Sequence, residues 1–249
     1  YEISCSLVGS EMCIRDRITT IGYYCNPIQY AEHRKTLENV ICTAGKFGAT
    51  HVSTFAGAWE GKPVESAYEE FGKVFRELAD LAEEKGVKLG IENCLMDGTW
   101  EHATCNIGFN PKAWEVMFEE VKNDNFGLEW EPTHQMVQLI DPVTELRKWC
   151  KKIVHIHGKD ATIDWDAVRH SGISGAVPFV WHRMPGFGDT NWRDIISILR
   201  SNGYEDDICI EGYHDPVYSG ELEMTGQLHA LNYLKWCRGG DFTPTPWAK

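Results

Sequence analysis

Four short β-forming stretches each end on a side chain that can bind a metal ion. The stretches are VKLGIE, FGLEWE, IVHIH and DICIE, and their last residues are Glu92, Glu131, His157 and Glu211. One acidic strand end would mean little, because strand ends are often solvated. Carboxylates gathered without a cation repel one another, so a converging set indicates a metal site. Three carboxylates and one imidazole favour one Mn²⁺, Mg²⁺ or Co²⁺ ion, with Zn²⁺ as a further option.

The elements that must position these residues follow a repeating pattern from Ile18 onward. β-Rich runs alternate with amphipathic helical stretches. The predicted strands are 18–24, 51–55, 87–92, 126–131, 153–157 and 207–211. The predicted helices lie near 31–47, 66–85, 111–122, 143–151, 191–202 and 222–237. Gly86 stands where a helix C-terminal glycine belongs, and Asn110 before Pro111 is typical of a helix start.

Alternation of strands and helices predicts a parallel sheet with right-handed crossovers. A closed barrel needs eight strands, with about 30 residues for each strand–helix unit. We therefore predict an α/β fold, a (β/α)₈ TIM barrel that lacks its first two units, as a single domain over 18–249. The alternative is an open doubly wound sheet, but no G-x-G-x-x-G turn in the sequence supports it.

Residues 1–17 show neither a strand nor a helix period. The string SLVGSEMCIRDR within them resembles translated sequencing-adapter read-through. We therefore expect 1–17 to be artefactual or disordered and leave this stretch out of the fold.

The ends of two strands offer two candidate ligands each. Side chains alternate along a strand, so Glu129 and Glu131 point to one side, as do His155 and His157. Active sites of barrels lie at the C-terminal ends of the strands. We therefore expect Glu131 and His157 to be ligands, and Glu129 and His155 to lie deeper or behind them.

Composition and charge narrow the class of partner. The formal net charge is −13, which argues against nucleic acid as the main partner. No run of about 18 apolar residues occurs, so no membrane span is expected. The nine cysteines form no C-x-x-C pair, which predicts free thiols and a cytoplasmic location. Cys94 and Cys209 are interpreted as small packing residues.

Several fragments together resemble the sugar phosphate isomerase/epimerase family, which has a xylose isomerase-like barrel. They are GIEN (90–93), EPTH (131–134), HIHGKD (155–160), MPGFGDTNW (184–192) and CIEGYHDP (209–216). The resemblance runs from about Ile18 to Trp236. It implies that the family's four metal ligands correspond to Glu92, Glu131, His157 and Glu211. In the family the second ligand is usually Asp, so Glu131 is a departure that affects the metal's position.

The resemblance also implies a reaction, namely isomerisation or epimerisation of a sugar or sugar phosphate through an enediolate. Glu92 and Glu211 would be the catalytic residues, one removing a proton next to the carbonyl and the other returning it. Five further residues are expected to contact the substrate: Asn93, His134, Lys159, Arg183 and Trp59. Segment 158–190 is long for a loop and predicts a lid.

Three alternatives stay open at this point. A dehydratase of a keto-polyol or sugar acid would use the same metal and base but expel a hydroxyl group. An endonuclease for abasic DNA needs a three-metal cluster and a basic face, which the negative charge disfavours. An inactive fragment or a binding domain is the third, because missing barrel strands would leave open sheet edges. Pairing of two copies would cover part of such an edge, so a homo-oligomer is also left open.

Overall fold

The computed structural model describes residues 17–239 and Thr245. Its strands are β1 (Thr20–Gly22), β2 (His51–Thr54), β3 (Lys88–Glu92), β4 (Phe126–Trp130), β5 (Ile153–Gly158), β6 (Asp160–Ile163), β7 (Val180–Arg183) and β8 (Ile208–Ile210). Its α-helices are α1 (Ala31–Ala44), α2 (Tyr68–Glu84), α3 (Pro111–Glu120), α4 (Pro132–Met136), α5 (Pro142–Trp149), α6 (Trp165–Ser171), α7 (Trp192–Ser201) and α8 (Glu223–Arg238). The stretch expected to be artefactual lies outside the described residues, except for the exposed Arg17.

The chain divides into two compact units. The first comprises 17–135 and 151–156, and the second comprises 136–150 and 157–239. The first unit is built on a parallel ladder in the order β1-β2-β3-β4-β5. Its register aligns Glu92 with Glu129, and Glu129 in turn with His155. The ends of β3 and β4 are therefore neighbours, as the alternating pattern predicts.

Aromatic packing forms the core of the first unit. The three-and-four spacing of apolar residues in α2 gives the helix one buried face. Phe71 and Phe75 stack at 4.6 Å on that face, and both rings lie within 6.3 Å of the Phe126 ring on β4. Phe118 of α3 meets the same ring at 5.7 Å. Burying each such side chain contributes roughly 1.5–3 kcal/mol, which fixes α2 and α3 against the sheet.

The predicted helix ends are confirmed in the first unit. Gly86 adopts a φ of +70°, which side-chain-bearing residues rarely adopt, and its N–H reaches the carbonyl of Glu83 at 3.0 Å. The side chain of Asn110 accepts from the backbone N–H of Lys112 at 2.9 Å. Gly127 on β4 is needed for a close approach, because a Cβ there would lie 2.3 Å from the carbonyl oxygen of Lys152.

The second unit contains β8, the end of β5 and three packed helices. The backbone N–H of Glu211 donates to the carbonyl of Gly158 at 3.1 Å, so β8 follows β5 in the sheet order. Helix α7 buries Trp192, Ile195, Ile196, Ile198 and Leu199 and packs on α5 and α8. Helix α8 in turn contacts β8, so the strand that leads to Glu211 packs against a helix.

Segment 158–190, which the sequence predicts as a long loop, is largely structured. Strands β6 and β7 pair antiparallel, with Asp160 opposite Arg183 and Ile163 opposite Val180. Helix α6 lies between them and begins with a side-chain cap from Asp164. The loop prediction is therefore wrong over these residues, because the period-two signal of two four-residue strands is too short to recognise.

The main elements match the sequence-based prediction within a few residues. All six predicted strands and all six predicted helices are present, while α4, α6, β6 and β7 were not predicted. Among the described residues no helix is both long and apolar enough to cross a membrane. The single-domain interpretation of 18–249 stays a prediction.

Candidate metal centre

Glu92 ends β3, and the backbone around it is held by a buried amide that the sequence interpretation did not identify. Asn106 donates through Nδ2 to the carbonyls of Glu92 at 2.9 Å and Cys94 at 2.8 Å. Its Oδ1 accepts from the backbone N–H groups of Ala56 at 3.0 Å and Gly108 at 2.9 Å. The side chain of Glu92 is 7% exposed. Four hydrogen bonds to one amide thus fix the main chain where a carboxylate leaves the sheet.

Glu131 directly follows β4 and is fully buried. A second amide fixes its backbone, because the N–H of Glu131 donates to Asn93 Oδ1 at 2.7 Å and Asn93 Nδ2 donates to the carbonyl of Glu131 at 2.9 Å. His134 lies one helical turn later, with its Nε2 3.3 Å from Glu131 Oε1. The side-chain amide of Asn93 therefore fixes the backbone position of Glu131.

Helix α4 presents His134 from a single turn. Trp130 Nε1 donates to Gln135 Oε1 at 2.8 Å, and both side chains are fully buried. Pro132 begins the turn, as expected where a fixed φ suits the first helical position. His134 is 8% exposed, so its ring is directed into the protein.

Glu129 and His155, the deeper residues of the two ligand pairs, are both buried and have polar partners within the first unit. Tyr24 donates its hydroxyl proton to Glu129 Oε2 at 2.7 Å, and His155 Nε2 lies 3.8 Å from Glu129 Oε1. The ring of His51 is 5.8 Å from that of His155. These contacts satisfy part of the hydrogen-bonding capacity of a fully buried carboxylate.

In the second unit, Glu211 contacts two nitrogen groups. His157 Nδ1 lies 3.2 Å from Glu211 Oε2, and Lys159 Nζ donates to Glu211 Oε1 at 2.8 Å. Lys159 is 3% exposed, whereas the side chain of Glu211 is 28% exposed. Lys159 therefore places a buried positive charge next to the Glu211 carboxylate.

Arg183 is oriented by Asp215, a residue for which the sequence interpretation proposed no role. Arg183 Nε donates to Asp215 Oδ2 at 3.3 Å. Burial acts to raise the pKa of Asp215, but hydrogen bonds from the backbone N–H groups of Tyr218, Met184 and Val217 outweigh it. The pKa of Asp215 consequently lies below its ordinary value. Asp215 thus ties β7 to the segment after β8.

Asp160 organises the segment that contains the glycines after β7. Its carboxylate accepts four backbone N–H groups at 2.8–3.3 Å, from Ala161, Gly186, Gly188 and Thr190. Burial raises the pKa of Asp160 against the lowering effect of its hydrogen bonds. A Cβ at Gly188 would lie 2.4 Å from Asp160 Oδ1, so glycine permits approach to this carboxylate.

Trp59, expected to contact substrate, lies after β2 and is half-buried.

One metal-capable group lies wholly within the first unit. Glu92, Cys94 and His134 each offer a ligand atom, and these atoms lie within 4.8 Å of one another. Carboxylate oxygen, thiolate sulfur and imidazole nitrogen are all ligands of divalent transition metals such as Zn²⁺, so this donor set suits such an ion. Cys94, interpreted from the sequence as a packing residue, is therefore close to two residues predicted to serve the site.

The family model for the xylose isomerase-like TIM barrel matches residues 15–235. The chain therefore belongs to this family, and the fold class predicted from its strand–helix alternation is confirmed.

Comparison with individual proteins gives a sequence relative and two solved structures of similar fold. The inosose dehydratase of Clostridium tetani is 26% identical over 182 residues, which are 71% of this chain and 57% of that enzyme. D-psicose 3-epimerase superposes with a TM-score of 0.66 at 16% identity, covering 90% of this chain and 79% of the epimerase. The IolI protein, whose structure holds a zinc atom, gives a TM-score of 0.63 at 21% identity, with 89% and 74% covered. The two structural likenesses show the fold.

Proposed function

We propose that the chain is a divalent-metal-dependent isomerase or epimerase of a small sugar or sugar phosphate. The observation that carries this proposal is the burial of its strand-end carboxylates and the charged groups beside them. In the first unit Glu92 and Glu131 are almost fully buried, and in the second unit Glu211 lies against His157 and Lys159. Carboxylates removed from water need positive charge close by, as a bound cation provides.

The proposed ligands of one ion are Glu92, Glu131, His157 and Glu211. The register supports the choice of the later residue in each pair. Glu129 is aligned with His155, and Glu131 and His157 each stand two residues beyond them. Side chains two apart share a face of a strand, so His157 points as His155 does and lies nearer the end of β5, while Glu131 directly follows the end of β4. The deeper Glu129 is held by Tyr24.

Proton transfer next to a carbonyl is the chemistry proposed for this site. A bound divalent ion would polarise the carbonyl and lower the energy of the enediolate. Glu92 and Glu211 are the proposed bases, one removing the proton and the other returning it. Lys159 donates to Glu211 Oε1 at 2.8 Å and so holds this carboxylate in position.

Substrate contacts are proposed for the remaining predicted residues. His134 and Lys159 are buried polar groups, each beside a proposed ligand of its own unit, and hydrogen bonds to substrate oxygens are proposed for both. Arg183, oriented by Asp215, suits a hydroxyl or phosphate oxygen. Trp59 would pack on an apolar face of the sugar. Asn93 is assigned mainly a positioning role, since its amide holds the backbone of Glu131.

Dehydration is a second candidate, favoured by one specific contact and by the inosose dehydratase relative. The ammonium of Lys159 is 2.8 Å from Glu211 and carries protons. In this reaction a base removes the proton next to the carbonyl, the neighbouring carbon–oxygen bond breaks, and Lys159 supplies the proton with which the hydroxyl leaves as water. The carbon skeleton keeps one carbonyl and gains one double bond.

The experiment that tests the proposal uses metal-loaded protein in D₂O with a panel of ketoses, their phosphates and inososes. NMR of the products distinguishes the reactions. Deuterium incorporated next to the carbonyl in a new epimer or isomer supports the first proposal, whereas an unsaturated or deoxy product supports dehydration. A metal-loaded chain that exchanges no carbon-bound hydrogen in any panel member would overturn both.

The proposal extends to location and assembly. Seven cysteines within the described residues form no disulfide, which supports a reducing cytoplasmic compartment. A carbohydrate is the proposed partner, and nucleic acid is not expected at a charge of −13. Size-exclusion chromatography with light scattering will test whether copies associate.

A further inference from the structure

Cys94 lies where a thiol can reach a metal ion. Its ligand atom is within 4.8 Å of one ligand atom each of Glu92 and His134, and all three residues belong to the first unit. We propose that Cys94 Sγ is a metal ligand, and that it gives the site a preference for Zn²⁺ or Co²⁺ over Mn²⁺ and Mg²⁺. This inference rests on the proposed metal-dependent function.

The backbone places Glu92 and Cys94 on the same side of the chain. The carbonyls of both residues accept from the one Nδ2 group of Asn106, at 2.9 and 2.8 Å. Carbonyls that face one donor from positions two apart are those of an extended chain, in which side chains two apart also share a side. The thiol and the carboxylate are therefore oriented together by a fully buried amide.

His134 completes the group from a different element. It comes from α4, whose turn is held by the Trp130–Gln135 hydrogen bond of 2.8 Å. Two rigid attachments thus determine the positions of the three donors, one on β3 and one on α4. Donors held in this way need little rearrangement to bind an ion.

The donor set differs from the all-oxygen-and-imidazole set expected from the sequence. Thiolate is a soft ligand that binds Zn²⁺ well, while Mg²⁺ and Mn²⁺ favour carboxylate and water. On binding, the metal–sulfur bond forms and the thiol proton leaves to solvent, with no change of oxidation state. Cys94 would consequently tune metal choice without taking part in proton transfer to the substrate.

Cobalt substitution tests the inference directly. Metal-free protein is titrated with Co²⁺, bound cobalt is counted by elemental analysis, and the near-ultraviolet thiolate-to-cobalt charge-transfer band is recorded. The parent chain and a Cys105→Ser control should show the band at saturation. Cys105 is a suitable control because it is also half-buried in the first unit and is absent from the group. Cys94→Ser and Cys94→Ala should bind cobalt without the band.

A competition measurement adds a second readout that does not depend on activity. Zn²⁺ affinity of Cys94→Ser should fall about ten-fold or more, with Mn²⁺ affinity nearly unchanged. Cobalt bound by the parent chain with no charge-transfer band, or a band that persists in both Cys94 variants, would overturn the role of Cys94 alone. A parent chain that binds no cobalt, zinc or manganese would overturn the metal-dependent function as well.

Discussion

A glutamate that directly follows a strand has different burial and different contacts in the two units. Glu131 in the first unit is fully buried, and hydrogen bonds to Asn93 fix its backbone. Glu211 in the second unit is 28% exposed at its side chain and is paired with Lys159 at 2.8 Å. Hydrogen bonds to the main chain hold Glu131, whereas contacts of the carboxylate itself with an imidazole and an ammonium hold Glu211.

This difference separates geometry from reactivity. A buried carboxylate on an immobilised backbone suits a ligand, because metal binding depends on exact donor positions. A carboxylate that is partly exposed, as Glu211 is, suits proton transfer in addition to metal binding, because a proton acceptor must come within hydrogen-bond reach of the substrate. We therefore expect loss of a glutamate, loss of an amide and loss of the lysine to have distinct signatures.

The largest expected effect comes from removing a proposed base in either unit. Glu92→Gln and Glu211→Gln should each lower kcat about 10²–10⁴-fold, because proton transfer loses its acceptor. Steady-state kinetics on the substrate found by NMR will measure it. Circular dichroism should show an intact fold. Glu205→Gln, an exposed acid, is the control and should keep parental kcat. Near-parental turnover of both site variants would end the proposed mechanism.

The second-largest effect is expected from removing the side-chain amide of Asn106, which holds the backbone of Glu92. Asn106→Ala loses four buried hydrogen bonds and should lower the free energy of unfolding by about 2–4 kcal/mol, at roughly 1 kcal/mol each. Urea denaturation will measure the change. Asn123→Ala, which removes an amide bonded to Asp80 and Glu83 at the surface, should change it by under about 0.5 kcal/mol. Equal effects of the two variants would contradict the positional role of Asn106.

Removing the ammonium beside Glu211 should affect chemistry more than folding. Lys159→Met keeps the length of the side chain but removes its proton, and kcat should fall about 10–100-fold. If only the rate of dehydration falls, Lys159 acts as the proton donor to the leaving hydroxyl group. If the rate of deuterium exchange falls equally, Lys159 acts by holding the Glu211 carboxylate. Lys148→Met, another ion-paired lysine of the second unit, serves as the control. Unchanged kcat for Lys159→Met would remove both roles.

The smallest effect concerns Asp215 and depends on pH. Its pKa is below the ordinary value of 3.8, so the ionised form stabilises the folded state. That stabilisation is fully present above the unfolded pKa and is lost as pH falls through the lower folded pKa. Asp215→Asn should therefore destabilise by about 1–2 kcal/mol at pH 7. The gap to the parent should narrow below pH 4 in thermal unfolding. A gap that is constant from pH 7 to pH 3 would show that charge is not involved.

Much of the fold was predictable from local patterns. The apolar spacing of α2 and the glycine and asparagine at helix ends gave correct element positions, because these signals depend on neighbouring residues only. The antiparallel pair of β6 and β7 was missed because each of these strands has only four residues. The supporting amide Asn106 gave no usable sequence signal, as its partners lie up to 50 residues away.

By itself the sequence determined the order of six strands and six helices, the family, and the acidic or imidazole residues at strand ends. Those features follow from periodicity and from residue type. Only the tertiary structure decided that Asn93 and Asn106 hold the backbone, that Lys159 pairs with Glu211, and that Cys94 is near Glu92 and His134. The reason is physical, because a hydrogen bond or a ligand distance depends on where separate chain segments meet in space.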